Sequence, residues 1–163
     1  MKTALFPGSF DPYTKGHESV VRRALSLFDK VVVVVGLNPD KRTMFSPEER
    51  RRQIAACHAG DARVEVCVWD GLTVDLAREK GAGFILRSVR SVADYEYERN
   101  MARINDILSS HTVETVLLLA EPGQEALQSS VVRELLSHGQ DVSAFVPQAV
   151  LPLLVKSDQS EQP

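Results

Sequence analysis

Five consecutive valines, Val31 to Val35, narrow the folds open to this chain more than any other stretch. Successive strand residues point to opposite faces, so an unbroken apolar run needs cover on both sides. That is the signature of a central strand in a parallel sheet. The neighbouring segments agree. Thr3 to Phe6, Gly83 to Arg87 and Val113 to Ala120 read as further strands, and Arg63 to Val68 is β-branched and alternating. Between them the apolar period becomes helical: Val20, Val21, Ala24, Leu25 and Phe28 mark a helix over Gly16 to Phe28. Ser46 with Glu49 three residues on is a capping box, and Pro47 suits the first helical position, so a helix runs to about His58. Leu72 to Lys80 (ended by Gly81 or Gly83), Val92 to Leu108 and Val131 to Ser137 complete the alternation, with Ser129-Ser130 as the cap of the last. A short helix is expected over Val150 to Val155. Strand and helix alternating in this way predict an α/β fold, a doubly wound five-stranded parallel sheet of Rossmann-like form. One domain spans residues 1–156, and the polar tail 157–163 is expected to fray.

Composition sets the outer limits. With 163 residues and 44% hydrophobic content the chain can bury one core. A net charge of −3 gives no basic footprint, which argues against nucleic acid as a partner. No apolar run approaches a membrane span. Cys57 and Cys67 lack CxxC spacing and match a reducing cytosol. The first residues are already strand-like, so no signal peptide is expected and the chain is read as cytoplasmic.

Ligands of doubly wound sheets sit beyond the carboxyl ends of the strands. The first such end is the stretch Pro7-Gly8-Ser9-Phe10-Asp11-Pro12-Tyr13-Thr14-Lys15-Gly16-His17, a turn that delivers His17 to the opening of a helix. Neither GxGxxG nor GxxxxGK[ST] is present, so this is neither a dinucleotide fingerprint nor a P-loop. Other polar residues fall after the later strands: Asn38, Lys41 and Arg42, then Asp70 and Thr73, then Arg87, Ser88 and Arg90, then residues 124–130. Their cations converge on one rim of an acidic chain, which points to an anion site. The same spacing lets Arg87 and Arg90 pair with Asp94 and Glu98 as surface ion pairs worth about 0–1 kcal/mol.

Thr14-x-Gly16-His17 resembles the signature of the T/HxGH nucleotidyltransferases, and PGSFDPYTKGH is similar to one family among them, the bacterial phosphopantetheine adenylyltransferases. The resemblance extends along the chain. Arg87-Ser88-Val89-Arg90 with Ala93-Asp94-Tyr95-Glu96-Tyr97-Glu98 resembles that family's RGLRxxxDxxYE segment. Asn38-Pro39-Asp40-Lys41 and Phe45-Ser46-Pro47-Glu48-Glu49-Arg50 are similar to its lysine loop and FxxEER helix, and Ser129-Ser130-Val131-Val132-Arg133-Glu134 to its nucleotide motif. The resemblance implies adenylyl transfer from ATP to 4′-phosphopantetheine with Mg²⁺, in a homohexamer. It implies a transition-state role for His17 and no protein metal site. Ser9, Lys41, Thr73 and Arg87 would contact the acceptor. Ser9, Phe10, His17, Ser88, Val89, Arg90, Glu98, Gln124, Glu125, Ala126, Leu127, Gln128, Ser129 and Ser130 would line the ATP side.

Three positions depart from the pattern: Ser88 stands for a glycine, Gln124 for an aromatic and Gln128 for the first serine of a triple. Two other readings stay open on the sequence. One is a related enzyme, acting on nicotinamide mononucleotide or as a cytidylyltransferase; the other is a non-catalytic nucleotide-binding paralogue. Tyr95 and Tyr97 are read as core or subunit contacts. Helix Val92 to Leu108 carries apolar residues, Tyr95, Met101, Ile104 and Leu108, that one small sheet does not cover.

Overall fold

The computed structural model describes residues 1–154; Val155 and the tail lie outside the described residues. Its elements are β1 (Thr3–Gly8), α1 (Lys15–Ala24), β2 (Lys30–Gly36), α2 (Pro47–Cys57), β3 (Val64–Trp69), α3 (Thr73–Lys80), β4 (Phe84–Val89), α4 (Val92–Leu108), β5 (Glu114–Leu119) and α5 (Ser129–Ser137). A 3₁₀ turn at Leu151–Leu153 takes the place of the expected C-terminal helix. The sheet is parallel throughout, in the order β3-β2-β1-β4-β5. The strand order reverses between β1 and β4, and ligand crevices of such sheets open there.

The valine run behaves as its pattern demands. Val31, Val33 and Val35 join the cluster containing Val20, Val21, Ile54 and Val132, beneath α1, α2 and α5. Val32 and Val34 join Leu5, Val74, Leu76 and Ile85 on the opposite face, beneath α3. The Ser46–Glu49 capping box forms in both directions: Glu49 N–H donates to Ser46 Oγ at 3.3 Å and Ser46 N–H to Glu49 Oε2 at 2.7 Å. Gly81, at φ 61°, ends α3 in the left-handed conformation that a glycine adopts without cost.

Strand β4 runs two residues past the expected Arg87 and α5 begins two residues before Val131; two further boundaries differ for identifiable local reasons. Helix α1 stops at Ala24, because Ser26 and Leu27 N–H groups bond to carbonyls three residues back and turn the chain toward β2. Strand β1 runs past Phe6 to Gly8, through a proline in a central strand. Its ladder with β2 is complete, but its register with β4 covers only Ala4–Phe84 and Leu5–Ile85. Pro7 explains the split. A strand residue turns its N–H and its C=O to the same edge, and the Pro7 carbonyl faces β4, so the missing N–H falls there as well.

Arg87 bridges the gap. Its Nη1 donates to the Pro7 carbonyl at 2.6 Å, while Nε and Nη2 grip Glu98 Oε2 and Oε1 at 2.8 and 2.6 Å. Glu98 is the only buried residue of α4, its side chain 8% exposed. The pairing is therefore not the loose surface ion pair that the spacing alone allows. Arg87→Leu, which leaves that carboxylate buried and unpaired, is expected to lower the unfolding free energy by about 3 kcal/mol, and Glu98→Gln by clearly less; urea unfolding of the two variants checks the order.

Candidate active site

Beyond the β1–β4 split the loop from Gly8 to Thr14 is anchored mainly by its own carbonyls. Arg50 Nη1 donates to Ser9 O at 2.6 Å, Arg133 Nη1 to Asp11 O at 2.8 Å and Ser129 Oγ to Pro12 O at 2.8 Å. The buried Asp11 carboxylate accepts the N–H groups of Met44 and Phe45 at 2.8 and 2.9 Å, tying the loop to the entry of α2. Arg50 completes that tie with a bond to Phe45 O. Ser129 is thus not the cap of α5. Gln128 occupies the N-cap without a side-chain bond, and the Ser129 hydroxyl is spent on the first loop.

His17 is the third residue of α1 and forms a capping box with Thr14. Thr14 Oγ1 accepts from His17 N–H, and Thr14 N–H donates to His17 Nδ1 at 3.0 Å. A ring nitrogen that accepts carries no proton, so the neutral imidazole holds its hydrogen on Nε2. Burial, reinforced by the charges of Arg90 and Arg87, pushes the imidazole pKa from 6.5 down to about 3. His17 is a neutral donor. Its ring stacks on Tyr13 (centroids 5.5 Å, 26°) and meets Phe10 edge to face (5.0 Å, 86°). Phe10 adopts φ 48° and lays its ring against Gly8, where an added Cβ would come within 2.8 Å of the ring.

A cleft of about 240 Å³ opens here, lined by Ser9, His17, Arg87, Ser88, Arg90 and Gln124 among others. Three of the five N–H groups of the Arg87 guanidinium are engaged, leaving two for a ligand. Arg90 binds Asp94 Oδ2 through Nε and its own backbone N–H, and its terminal nitrogens have no hydrogen-bond partner among the described residues. A second cleft lies over the ends of β2 and β3, lined by Asn38, Lys41, Arg50 and Asp70. Ser9 lines both. The two clefts meet at the first loop.

Of the expected site residues, Ser9, Phe10, His17, Arg87, Ser88, Arg90, Glu98, Gln124, Leu127 and Ser129 line the first cleft and Lys41 the second. Thr73 opens α3 and lines neither, and Val89 is buried within β4. Glu125, Ala126, Gln128 and Ser130 are exposed and lie outside the first cleft. Phe10 is a buried support, 3% exposed. Tyr95 and Tyr97 are exposed and belong to no core. Sequence reasoning missed Thr14, Asp11, Arg50 and Arg133 as parts of the site. For Thr14 a signal was present: Thr-x-x-His has the spacing of a capping box with imidazole in place of a carboxylate. It also missed Glu121, which accepts from Ser19 Oγ, Arg22 and Gln124 Nε2 and fixes the 121–128 loop to α1.

Residues 5–135 match the family model described as cytidylyltransferase-like, so the cations and the neutral imidazole gathered at the switch point belong to a nucleotidyltransferase. The chain is 47% identical over 150 residues to a phosphopantetheine adenylyltransferase of Phocaeicola vulgatus, covering 92% of this chain and 98% of that protein. It is 48% identical to the enzyme of that name from Porphyromonas gingivalis (89% and 94% covered) and 46% identical to that of Leuconostoc citreum (94% and 97%). The chain belongs to the phosphopantetheine adenylyltransferase family.

The pH dependence follows from His17. Its folded pKa lies below the ordinary value, so the stability it contributes is complete above about pH 6.5 and is lost as pH falls toward 3. For the same reason His17 is expected to contribute no acid limb to kcat near pH 6.5, and a rate profile from about pH 5 to 8 with an inflection there that His17→Gln abolishes would contradict the neutral donor.

Proposed function

We propose that this chain transfers the adenylyl group of ATP to 4′-phosphopantetheine, giving 3′-dephospho-coenzyme A and pyrophosphate. The observation that carries the reading is the meeting of two clefts at Ser9, one with Arg87, Arg90 and His17 and the other with Lys41. The acceptor phosphate is already ionised at neutral pH, so no base is required to make the nucleophile. Its oxygen forms a bond to the α-phosphorus in line with the departing pyrophosphate oxygen, whose bond to that phosphorus breaks. The work left to the protein is to hold two anions together and to meet charge growing on the α-phosphate.

The side chains divide that work. His17 Nε2–H is a fixed donor at the start of a helix, where the dipole already favours an anion. Because the ring is neutral it adds no charge that the free enzyme must solvate. Arg87 offers its two unspent N–H groups to the acceptor phosphate, and Lys41, exposed on its loop, brings a point charge from the other side. Arg90 faces the triphosphate. Among the described residues no three His, Cys, Asp or Glu side chains gather as a metal cage. The carboxylates of the first cleft are already held, Asp94 by Arg90, Glu98 by Arg87 and Glu121 by Arg22. This donor set fits a Mg²⁺ that enters on the triphosphate with most of its water, as part of the nucleotide substrate.

The same reading includes a homohexamer. Val92, Tyr95, Tyr97, Ile104, Ile107 and Leu108 leave α4 with exposed apolar side chains that suit contact with other copies of the chain. It also includes the cytoplasm, in keeping with two free cysteines; no described helix is long and apolar enough to cross a membrane. The deciding assay is pyrophosphate release from ATP with 4′-phosphopantetheine or nicotinamide mononucleotide as acceptor. Release is expected with the first alone; release with the second alone would reassign Lys41 and Arg87, and ATP binding without release would mark a non-catalytic paralogue. His17→Ala is expected to lower kcat by about 10²–10³ while changing ATP affinity far less.

A further inference from the structure

Tyr13 is a second aromatic of the first loop whose polar end has no direct part in the chemistry above. Its side chain is completely buried. A phenylalanine would fill the same space without burying a hydroxyl, and a buried hydroxyl is costly unless bonded. Here it is bonded: Tyr13 Oη lies 2.9 Å from Nε2 of His58, the residue that caps the far end of α2. The two rings meet nearly edge to face, with centroids 5.8 Å apart at 80°. Burial raises the phenol pKa well above 10.0, so the hydroxyl keeps its proton.

On its other side the phenol ring stacks along the imidazole of His17. The bond from Thr14 N–H fixes only the Nδ1 corner of that imidazole. Phe10 meets the ring edge to face and bounds it on one side, but the corner at Nδ1 still allows a tilt toward the other, and a tilt swings Nε2, the atom that must meet the growing charge. The stacked face removes that freedom, and the bond to His58 stops the stacking ring from sliding or turning in its own plane. We propose that Tyr13, locked from behind by His58, is a positioning residue that sets the plane of His17 and so aims its Nε2–H into the cleft. The two histidines are joined through one phenol, across 41 residues of sequence. The inference rests on the role given to His17 above.

The test is a double-mutant cycle read by single-turnover pyrophosphate formation, with wild type, Tyr13→Leu, His17→Ala and the double variant. Tyr13→Leu is expected to lower the rate about tenfold with the ATP affinity within about twofold, since misaiming a fixed group costs rate rather than binding. In the His17→Ala background the same substitution should change the rate by less than about twofold. Equal losses in both backgrounds, or no loss in the first, would overturn the positioning role while leaving His17 in place. No loss from His17→Ala itself would remove the role of His17 and this inference with it. If Tyr13→Leu does not fold, Tyr13→Phe and His58→Gln carry the test, since both keep the core filled. Tyr13→Phe should lose about threefold in rate through His17 alone, and His58→Gln, whose amide can still meet the hydroxyl, less. An unchanged rate in Tyr13→Phe overturns the proposal.

Discussion

The guanidinium of Arg87 is the joint on which this structure turns. A proline in a central strand leaves one edge short of a donor, and the sheet opens at that edge. A gap of this kind is a liability in a fold built on ladders, because buried backbone carbonyls need partners. Arg87 supplies the partner from its side chain and in doing so fixes its own fork on Glu98. Helix α4 is thereby held through a carboxylate, its sole buried residue, and most of its large apolar residues are left facing outward. The opening in the sheet, the seat of α4 and the placement of a cation at the switch point are consequences of a single contact set.

The charge of the site is equally economical. The chain is acidic overall, yet Arg90 and Arg87 stand close enough to His17 to depress its pKa further, after burial as the largest cause. Local geometry, not net charge, decides what the cleft attracts. Two of its cations are partly neutralised by Glu98 and Asp94. Those carboxylates orient the arginines and reduce repulsion among them, which an assembly of bare cations around one imidazole would otherwise suffer.

Much of the fold was legible in the sequence because its signals are local. The valine run, the Ser46–Glu49 box and Gly81 each specify their own element, and strand-helix alternation does the rest. The misreadings share a cause. Ser129 has the residue type of a cap, but its hydroxyl finds Pro12 O, 117 residues away, a preference no local pattern records. Pro7 reads as a strand terminator; it is accommodated only because β4 offers an arginine at that height. In the site, the residues that reach a ligand space were found by their position after strands. Asp11, Arg50 and Arg133 each fall inside a motif, but they serve the loop from behind through contacts 33 to 122 residues away, which no local pattern records. The neutrality of His17 likewise depends on enclosure by Phe10 and Tyr13, which is a property of packing.

The first loop is held chiefly through main-chain oxygens: those of Pro7, Ser9, Asp11 and Pro12 each accept from a side chain far along the chain. A carbonyl is the same atom whichever residue bears it. The shape of the loop is accordingly indifferent to several of its own side chains, and Ser9 in particular is left to answer to the ligand alone. Substrate preference can drift by exchange at that position without dismantling the cradle, and a cradle that is rigid before binding has little ordering entropy left to lose when the two anions arrive.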